Sequence, residues 1–251
     1  MTATIRNLDR VFSPAHQSRY QNLLVSGCSY TWNNSNQHIC TWPYYLRDLA
    51  NFDEVFDCSQ GGAGNNHIFN SVVNELSTNQ QLTPDNTCVI VMWSGLERVD
   101  FICQSDLVKK SRPKSLTGYY QYDDADTFAS LSVWPSSNDA LQDLLKTYRV
   151  TVDSPAQILE SAIKIIALKE FLQSLGYTFC FVDWRDQQYQ INNFNNTIVN
   201  KAASTMSTIE TLESFTTRKG TRVSDGHPTP DSHLSWTREI LLPHLIETNT
   251  I

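Results

Sequence analysis

The chain lacks any run of about 20 apolar residues, the length a membrane-spanning helix needs. Its first stretch, Met1 to Tyr20, carries charges and no hydrophobic segment, so no signal peptide is expected and the localisation reads as cytoplasmic. Export by another route, or incorporation into a particle, stays open. Charge is scarce at 18%, against about 25% in an average soluble domain. Basic charge is scarcer still, with 19 Lys and Arg against 26 Asp and Glu and a formal net charge of −7. That deficit argues against a broad nucleic-acid-binding face, which needs clustered Lys and Arg. The six cysteines (Cys28, Cys40, Cys58, Cys88, Cys103 and Cys180) fall into no zinc or redox spacing. Cys58, Cys88 and Cys180 lie in or beside apolar runs, where a free thiol behaves as a small buried hydrophobe. The pattern reads as that of a reducing compartment, and no metal or cofactor is expected.

What is present is enough for a substantial core. A chain of 251 residues with 40% hydrophobic residues buries roughly 70–75% of its extended surface and needs no staple. Apolar runs at Asn22 to Val25, Phe52 to Phe56, Cys88 to Trp93 and Thr178 to Val182 read as strands. Cys88 to Trp93 and Thr178 to Val182 do not alternate, as expected where helices cover both faces of a parallel sheet. A weak fifth strand is expected near Ile209 to Phe215.

Helical spacing separates these runs. It shows in Trp42, Tyr45, Leu46 and Leu49 after Pro43, and again in Ile68, Phe69, Val72 and Val73. The strongest helix signal is Ser154 to Leu175, with Pro155 at its start and Gly176 just beyond its end. His233 to Ile246 reads as a closing amphipathic helix, and Asn192 to Asn200 as a surface loop leading into a short one. The rhythm predicts one α/β domain, a three-layer α/β/α sandwich with a mostly parallel five-stranded sheet.

The stretch from Val99 to Val150 interrupts that rhythm. It shows little sheet character, with one helix expected at Ala140 to Tyr148. It carries Tyr119, Tyr120, Tyr122, Phe128 and Trp134 beside Asp123, Asp124 and Asp126. An insertion of this length is expected to form a lid or binding loop.

Four segments carry candidate chemistry. Gly27-Cys28-Ser29-Tyr30-Thr31 follows the first strand, at the sheet edge where open α/β folds bind ligands. A serine there is more often a turn residue or helix cap. Ser224-Asp225-Gly226-His227-Pro228 precedes the closing helix, with Asp231 and His233 beyond. His227 suits a general base and Asp225 its orienting partner, since a serine nucleophile needs both. The plain reading is a polar loop capping the last helix. Gly61-Gly62-Ala63-Gly64-Asn65-Asn66 offers backbone N–H groups at a helix start, suited to an oxyanion or phosphate. It lacks the Lys of a P-loop. Trp93-Ser94-Gly95-Leu96-Glu97-Arg98 follows the third strand. In a parallel sheet these positions converge on one rim.

The order and spacing of these segments resemble the SGNH hydrolase superfamily, the GDSL esterases and lipases. Ser29 looks like the first-block nucleophile, with Cys28 where an acidic residue usually stands. Gly62 looks like the second-block glycine, and Asp225 with His227-Pro228 like the last block. His233 falls where that block often carries another His. The resemblance implies a flavodoxin-like SGNH fold and a serine hydrolase working through an acyl-enzyme. Ser29, His227 and Asp225 would be catalytic, and the N–H groups of Ser29 and Gly62 would line the oxyanion hole.

Two departures stand out. Glu97 occupies the third-block position of the oxyanion asparagine, and an ionised carboxylate cannot donate a hydrogen bond. Asn65 in the oxyanion hole, or Asn66, is the expected source of the missing amide from the neighbouring loop; the alternative is that Glu97 pairs with Arg98 or Arg47 and plays a structural part. Asp225 lies two residues before the His rather than three. Tyr30, Asn66, Trp93, Glu97 and Arg98 are the expected substrate-side residues, with Trp32 and Trp42 also following the nucleophile. The substrate expected is a small-molecule or glycan ester, with a short acyl group such as a carbohydrate O-acetyl. The alternatives are a non-catalytic glycan- or protein-binding module on the same fold, and an acyltransferase.

Overall fold

The four apolar runs become neighbouring parallel strands. The computed structural model describes residues 14–32, 40–95, 98–104, 116–121, 126–131, 154–186, 196–224 and 226–251. Strands β1 (Asn22–Ser26), β2 (Glu54–Asp57) and β3 (Thr87–Trp93) precede the insertion, and β7 (Thr178–Asp183) follows it. They form a parallel sheet in the order β2-β1-β3-β7. The register sets Leu24 beside Phe56 and Val89, and Ile90 beside Cys180. Every residue of β1 and β3 is buried, which is why neither run alternates.

Helix α1 (Trp42–Ala50) connects β1 to β2, α2 (Asn65–Thr78) connects β2 to β3, and α3 (Ser154–Ser174) leads into β7. The step from β1 to β2 runs one way along the sheet, and the steps to β3 and β7 run the other way. Right-handed crossovers therefore place α1 on one face and α2 with α3 on the opposite face. In keeping with this, α2 packs on α3, and α1 packs on the C-terminal helices. The core between these layers holds Trp42, Phe52, Phe56, Trp93, Phe181 and Trp236, all essentially solvent-free.

Element ends follow local chemistry. Asn51 caps α1 in the left-handed region, at φ 58°, and the Phe52 N–H donates back to Arg47 O at 3.0 Å. Phe52 is thus spent on the helix exit, Asp53 N–H donates to Gln21 O at 2.7 Å, and β2 begins at Glu54 rather than at Phe52. Gly176, at φ 80°, ends the turn after α3, as its place in the sequence suggests.

The closing helix is longer and less regular than its apolar spacing implies. It runs through α6 (Pro230–Trp236), a π-helical turn at Thr237–Leu241 and α7 (Leu242–Glu247). Pro243 lies just after the π turn. A proline cannot donate to the turn before it and crowds that carbonyl, so the wider turn accommodates it.

Two expectations are corrected. The segment 209–215 forms no strand; it leads into helix α5 (Leu212–Lys219), N-capped by Thr211 Oγ1 at 3.3 Å from Ser214 N. The parallel sheet therefore has four strands among the described residues. The insertion does have sheet character, because β4 (Val99–Gln104), β5 (Leu116–Gln121) and β6 (Asp126–Leu131) pair antiparallel in the order β4-β6-β5. The expected helix at 140–148 lies outside the described residues, as do residues 192–195 of the expected loop, and from Thr197 onward that stretch is already helical. The short helix after that loop is α4 (Thr197–Ala203). Among the described residues, no helix is long and apolar enough to cross a membrane.

Candidate active site

The turn after β1 is set by backbone geometry. Thr31 N–H and Trp32 N–H both donate to Cys28 O, at 2.8 and 2.9 Å, which curls the chain around Ser29. A Cβ at residue 27 would overlap the Thr31 side chain and sit 3.0 Å from Met92 O, so only glycine lets the turn lie against β3. Thr31 is buried, and Trp42 donates its indole N–H to Thr31 Oγ1 at 3.3 Å. Trp42 is thereby a core residue, packed edge-on against Trp236 with ring centres 6.3 Å apart.

The glycine-rich loop reaches the same place from β2. Cys58 N–H donates to Val25 O and Gln60 N–H to Gly27 O, at 2.9 and 3.1 Å, carrying the β2 edge alongside the Ser29 turn. Ala63 N–H then closes a turn onto Gln60 O at 3.0 Å, with Gly62 at φ 82°. That is the third position of a type II turn, which favours glycine. Gly61 lies against the Trp32 ring.

The start of α2 is already occupied by a side chain of this chain. Asp100 on β4 accepts from Gly64 N–H and His67 N–H, both at 2.9 Å. The carboxylate thus ties the antiparallel sheet to the helix start, where its charge is favoured. Asn65 is committed in the same way. Its Oδ1 accepts from Ser94 N–H at 2.8 Å, and its Nδ2 donates to Ser94 O and Ser161 Oγ, each at 3.2 Å. Both amide protons are used, so Asn65 braces the loop after β3 against α3 rather than facing the Ser29 turn. Asn66 is half-buried, and its carbonyl accepts from Asn70 Nδ2 at 2.7 Å. Arg98 donates to Ala63 O at 3.0 Å, joining the loop after β3 to the glycine loop. Trp93 is 1% exposed and packs edge-on against Phe181, so it belongs to the core. Arg47 pairs with Asp48 through a 2.7 Å contact from Nε.

His227 arrives from the other end of the chain. Its Nε2 lies 2.9 Å from Ser29 Oγ. In the tautomer protonated on Nδ1, the serine hydroxyl donates to Nε2. The Nδ1 side of the ring is screened from solvent. Ser29 and His227 are separated by nearly 200 residues of sequence, so their contact is made by the tertiary fold. Tyr30 flanks the pair: its ring centre is 5.3 Å from that of His227 and 4.5 Å from that of Trp184. Burial pushes the Tyr30 hydroxyl up to about 12, with the Glu213 carboxylate adding to the rise. His233 lies fully buried behind His227. Desolvation, then the proximity of His227, lowers its pKa to about 3 and keeps it neutral. Asp225 and Glu97 lie outside the described residues.

Four residues near this rim carry no obvious label in the sequence. They are Asp100, Trp184, Arg222 and Asp183. Asp183 ends β7 and lines a cavity of about 330 Å³ with Asp186, Ser207, Thr208 and Glu210. Burial and then the Asp186 charge raise its carboxyl to about 7. The thiols follow the same physics: burial drives Cys58 and Cys88 upward, and Cys180 up to about 11. Among the described residues, no group of three or more His, Cys, Asp or Glu is arranged to hold a metal ion. No protein-family model, no curated protein and no solved structure matches this chain.

Proposed function

We propose that this protein is a serine esterase of the SGNH hydrolase kind, acting on a small acyl ester such as a carbohydrate O-acetyl group. The observation that carries the reading is the 2.9 Å contact between Ser29 Oγ and His227 Nε2, at the carboxyl-end rim of a parallel sheet. A serine hydroxyl is a weak nucleophile until a base takes its proton, and this geometry suits that transfer.

In this reading His227 Nε2 removes the Ser29 proton as Oγ bonds to the ester carbonyl carbon. The carbonyl oxygen takes up the negative charge, held by the N–H groups of Ser29 and Gly62. Loss of one such donor costs about 3 kcal/mol in the barrier. The C–O bond to the leaving group breaks, and the imidazolium gives its proton to the departing alcohol. Water, deprotonated by His227, then hydrolyses the acyl-enzyme. Asp225 is the proposed orienting partner of His227. The Asn65 amide is engaged elsewhere, so the oxyanion donors in this scheme are backbone groups. The same engagement, with Glu97 at the family's asparagine position, favours the second reading, a glycan- or protein-binding module.

The test is hydrolysis of para-nitrophenyl acetate and butyrate by the wild type, Ser29→Ala and His227→Ala, with background subtracted. A fluorophosphonate label on Ser29 is scored in parallel. Turnover should fall by about 10³-fold or more in both variants, as for loss of a nucleophile or its base. Unchanged turnover in Ser29→Ala would sink the assignment. Absence of both turnover and labelling in the wild type would favour the binding module.

A further inference from the structure

We infer that Arg222 is a positioning residue for His227, fixing the backbone that presents the imidazole to Ser29. This rests on the reading of Ser29 and His227 as nucleophile and base. His227 is carried by no sheet. It sits on a small hairpin closed by the isolated bridge between Arg222 and Pro228. Val223 N–H donates to His227 O at 2.9 Å, Gly226 N–H to Val223 O at 3.0 Å, and Thr229 N–H to Thr221 O at 3.3 Å. Three such bonds between exposed or half-buried residues would leave the histidine free to shift.

Arg222 removes that freedom. Its Nη1 donates to Gly226 O at 2.9 Å, on the peptide group that enters His227. Its Nη2 donates to Thr217 Oγ1 at 2.5 Å and to Glu213 O at 3.4 Å, both on α5. Helix α5 is a firm anchor, because Leu212 and Phe215 are fully buried. One planar cation therefore grips the peptide before the histidine and a packed helix together. A guanidinium has the forked donors for this, and an ammonium does not.

The contacts close on themselves. Glu213 N–H donates to Trp184 O at 2.9 Å, the Trp184 ring packs on Tyr30, and the Tyr30 ring packs on His227. The histidine is thus held twice, by its ring through Tyr30 and by its backbone through Arg222, and both routes end at Glu213. Charge is handled in the same place. A bare guanidinium beside a histidine that must accept a proton would oppose catalysis. The Glu213 carboxylate, 3.6 Å from Nη2, offsets it.

The experiment compares the full-length wild type with Arg222→Gln, Arg222→Lys and Thr217→Val. Steady-state hydrolysis of para-nitrophenyl acetate is measured together with the NMR signals of the His227 ring and circular dichroism. In Arg222→Gln, kcat should fall roughly 10–100-fold while KM stays within about twofold, since misplacement near 1 Å costs on that order. Arg222→Lys should recover part of that loss. A folded Arg222→Gln protein with wild-type kcat and unshifted His227 signals overturns the proposal. Should Arg222→Gln not fold, Thr217→Val carries the test, because residue 217 is exposed and only one of the anchors is removed. It should lower kcat about 3–10-fold, a fraction of that misplacement cost, and an unchanged kcat overturns the proposal. Should the wild type neither turn over ester nor take the label, the esterase reading fails by itself. Positioning is then judged on the His227 signals, which should shift or broaden in Arg222→Gln and, if unmoved, overturn it.

Discussion

Ser29 sits just beyond a strand whose every residue is buried, whereas His227 rides on a small hairpin whose described residues, Pro228 apart, are exposed or half-buried. The two meet at 2.9 Å, yet different forces hold them there. On the serine side the chain is hydrogen-bonded to β2 and β3 on both edges, and Leu23, Leu24 and Val25 contact no solvent. On the histidine side a few polar contacts and one arginine fix the loop. The position of Ser29 is therefore a property of the whole fold. The position of His227 is set locally, and a substitution in the hairpin should disturb it without unfolding the protein.

The sharpest way to break that contrast is to damage the sheet. Leu24 is fully buried in the central strand, so Leu24→Ala should cost about 2–5 kcal/mol through lost burial and the cavity left behind. Urea denaturation would measure it. The surviving folded molecules should label at Ser29 at nearly the wild-type rate. A loss under about 1 kcal/mol would mean that the rim does not depend on the strand beneath it.

Asp183 sharpens the same contrast from the far strand of the sheet. Its carboxyl is raised from 3.8 to about 7 by burial and then by Asp186. Between those values the folded protein holds a proton that the unfolded chain has released. Stability should therefore fall as pH rises from about 4 to about 7, with the full penalty present above that. Asp183→Asn removes the penalty. It should raise stability at pH 8 by on the order of 1–3 kcal/mol, less than the full electrostatic value because the cavity admits solvent. It should change little at pH 4. His233 acts in the opposite direction. Its pKa is lowered to about 3, so its contribution is lost as pH falls below 6.5. Melting temperatures of wild type and Asp183→Asn across pH 4–8 would separate the two. Parallel curves for the two proteins would rule out Asp183 as the source.

The same division explains what the sequence discloses. The four parallel strands, the helix 154–174 and the Gly-flanked Ser29 turn rest on apolar runs and glycine placement, which leave a plain local record. The three antiparallel strands of the insertion do not. They are short and mix aromatic with polar and small residues, as in Leu116–Gln121 and Asp126–Leu131, so no clean alternation marks them. Residues 209–215 mislead because Ile209, Leu212 and Phe215 read as a short apolar segment, while the Thr211 cap starts a helix there. At the site, Ser29 and His227 were legible as chemical types at suitable places. Arg222 was not, although Ser224-Asp225-Gly226 is a turn signal that could have suggested a hairpin around it. The Asp100 and Asn65 braces were also hidden, because such bonds depend on where distant segments meet. Asn65 shows the limit well, since its type suited an oxyanion donor and only its partners reveal a structural task.

The smallest expected change in stability falls on the histidine side. Gly226 lies at φ 88°, and a Cβ there would meet nothing within 4 Å. Gly226→Ala therefore creates no clash and costs only the backbone strain of an L-residue in the left-handed region, about 1–2 kcal/mol. The hairpin can relieve that strain by rotating the peptide that Arg222 holds through Gly226 O. Such a rotation moves His227 directly. If the protein is the proposed esterase, Gly226→Ala should thus lower kcat by about tenfold or more, as a small displacement of the proposed base would, while its unfolding midpoint moves less than that of Leu24→Ala. The ratio is the informative quantity: a strand variant that loses much stability and keeps its per-molecule reactivity, against a hairpin variant that loses less stability and much of its reactivity. If both variants lost activity only in proportion to the unfolded fraction, His227 would be held by the fold as a whole, as Ser29 is.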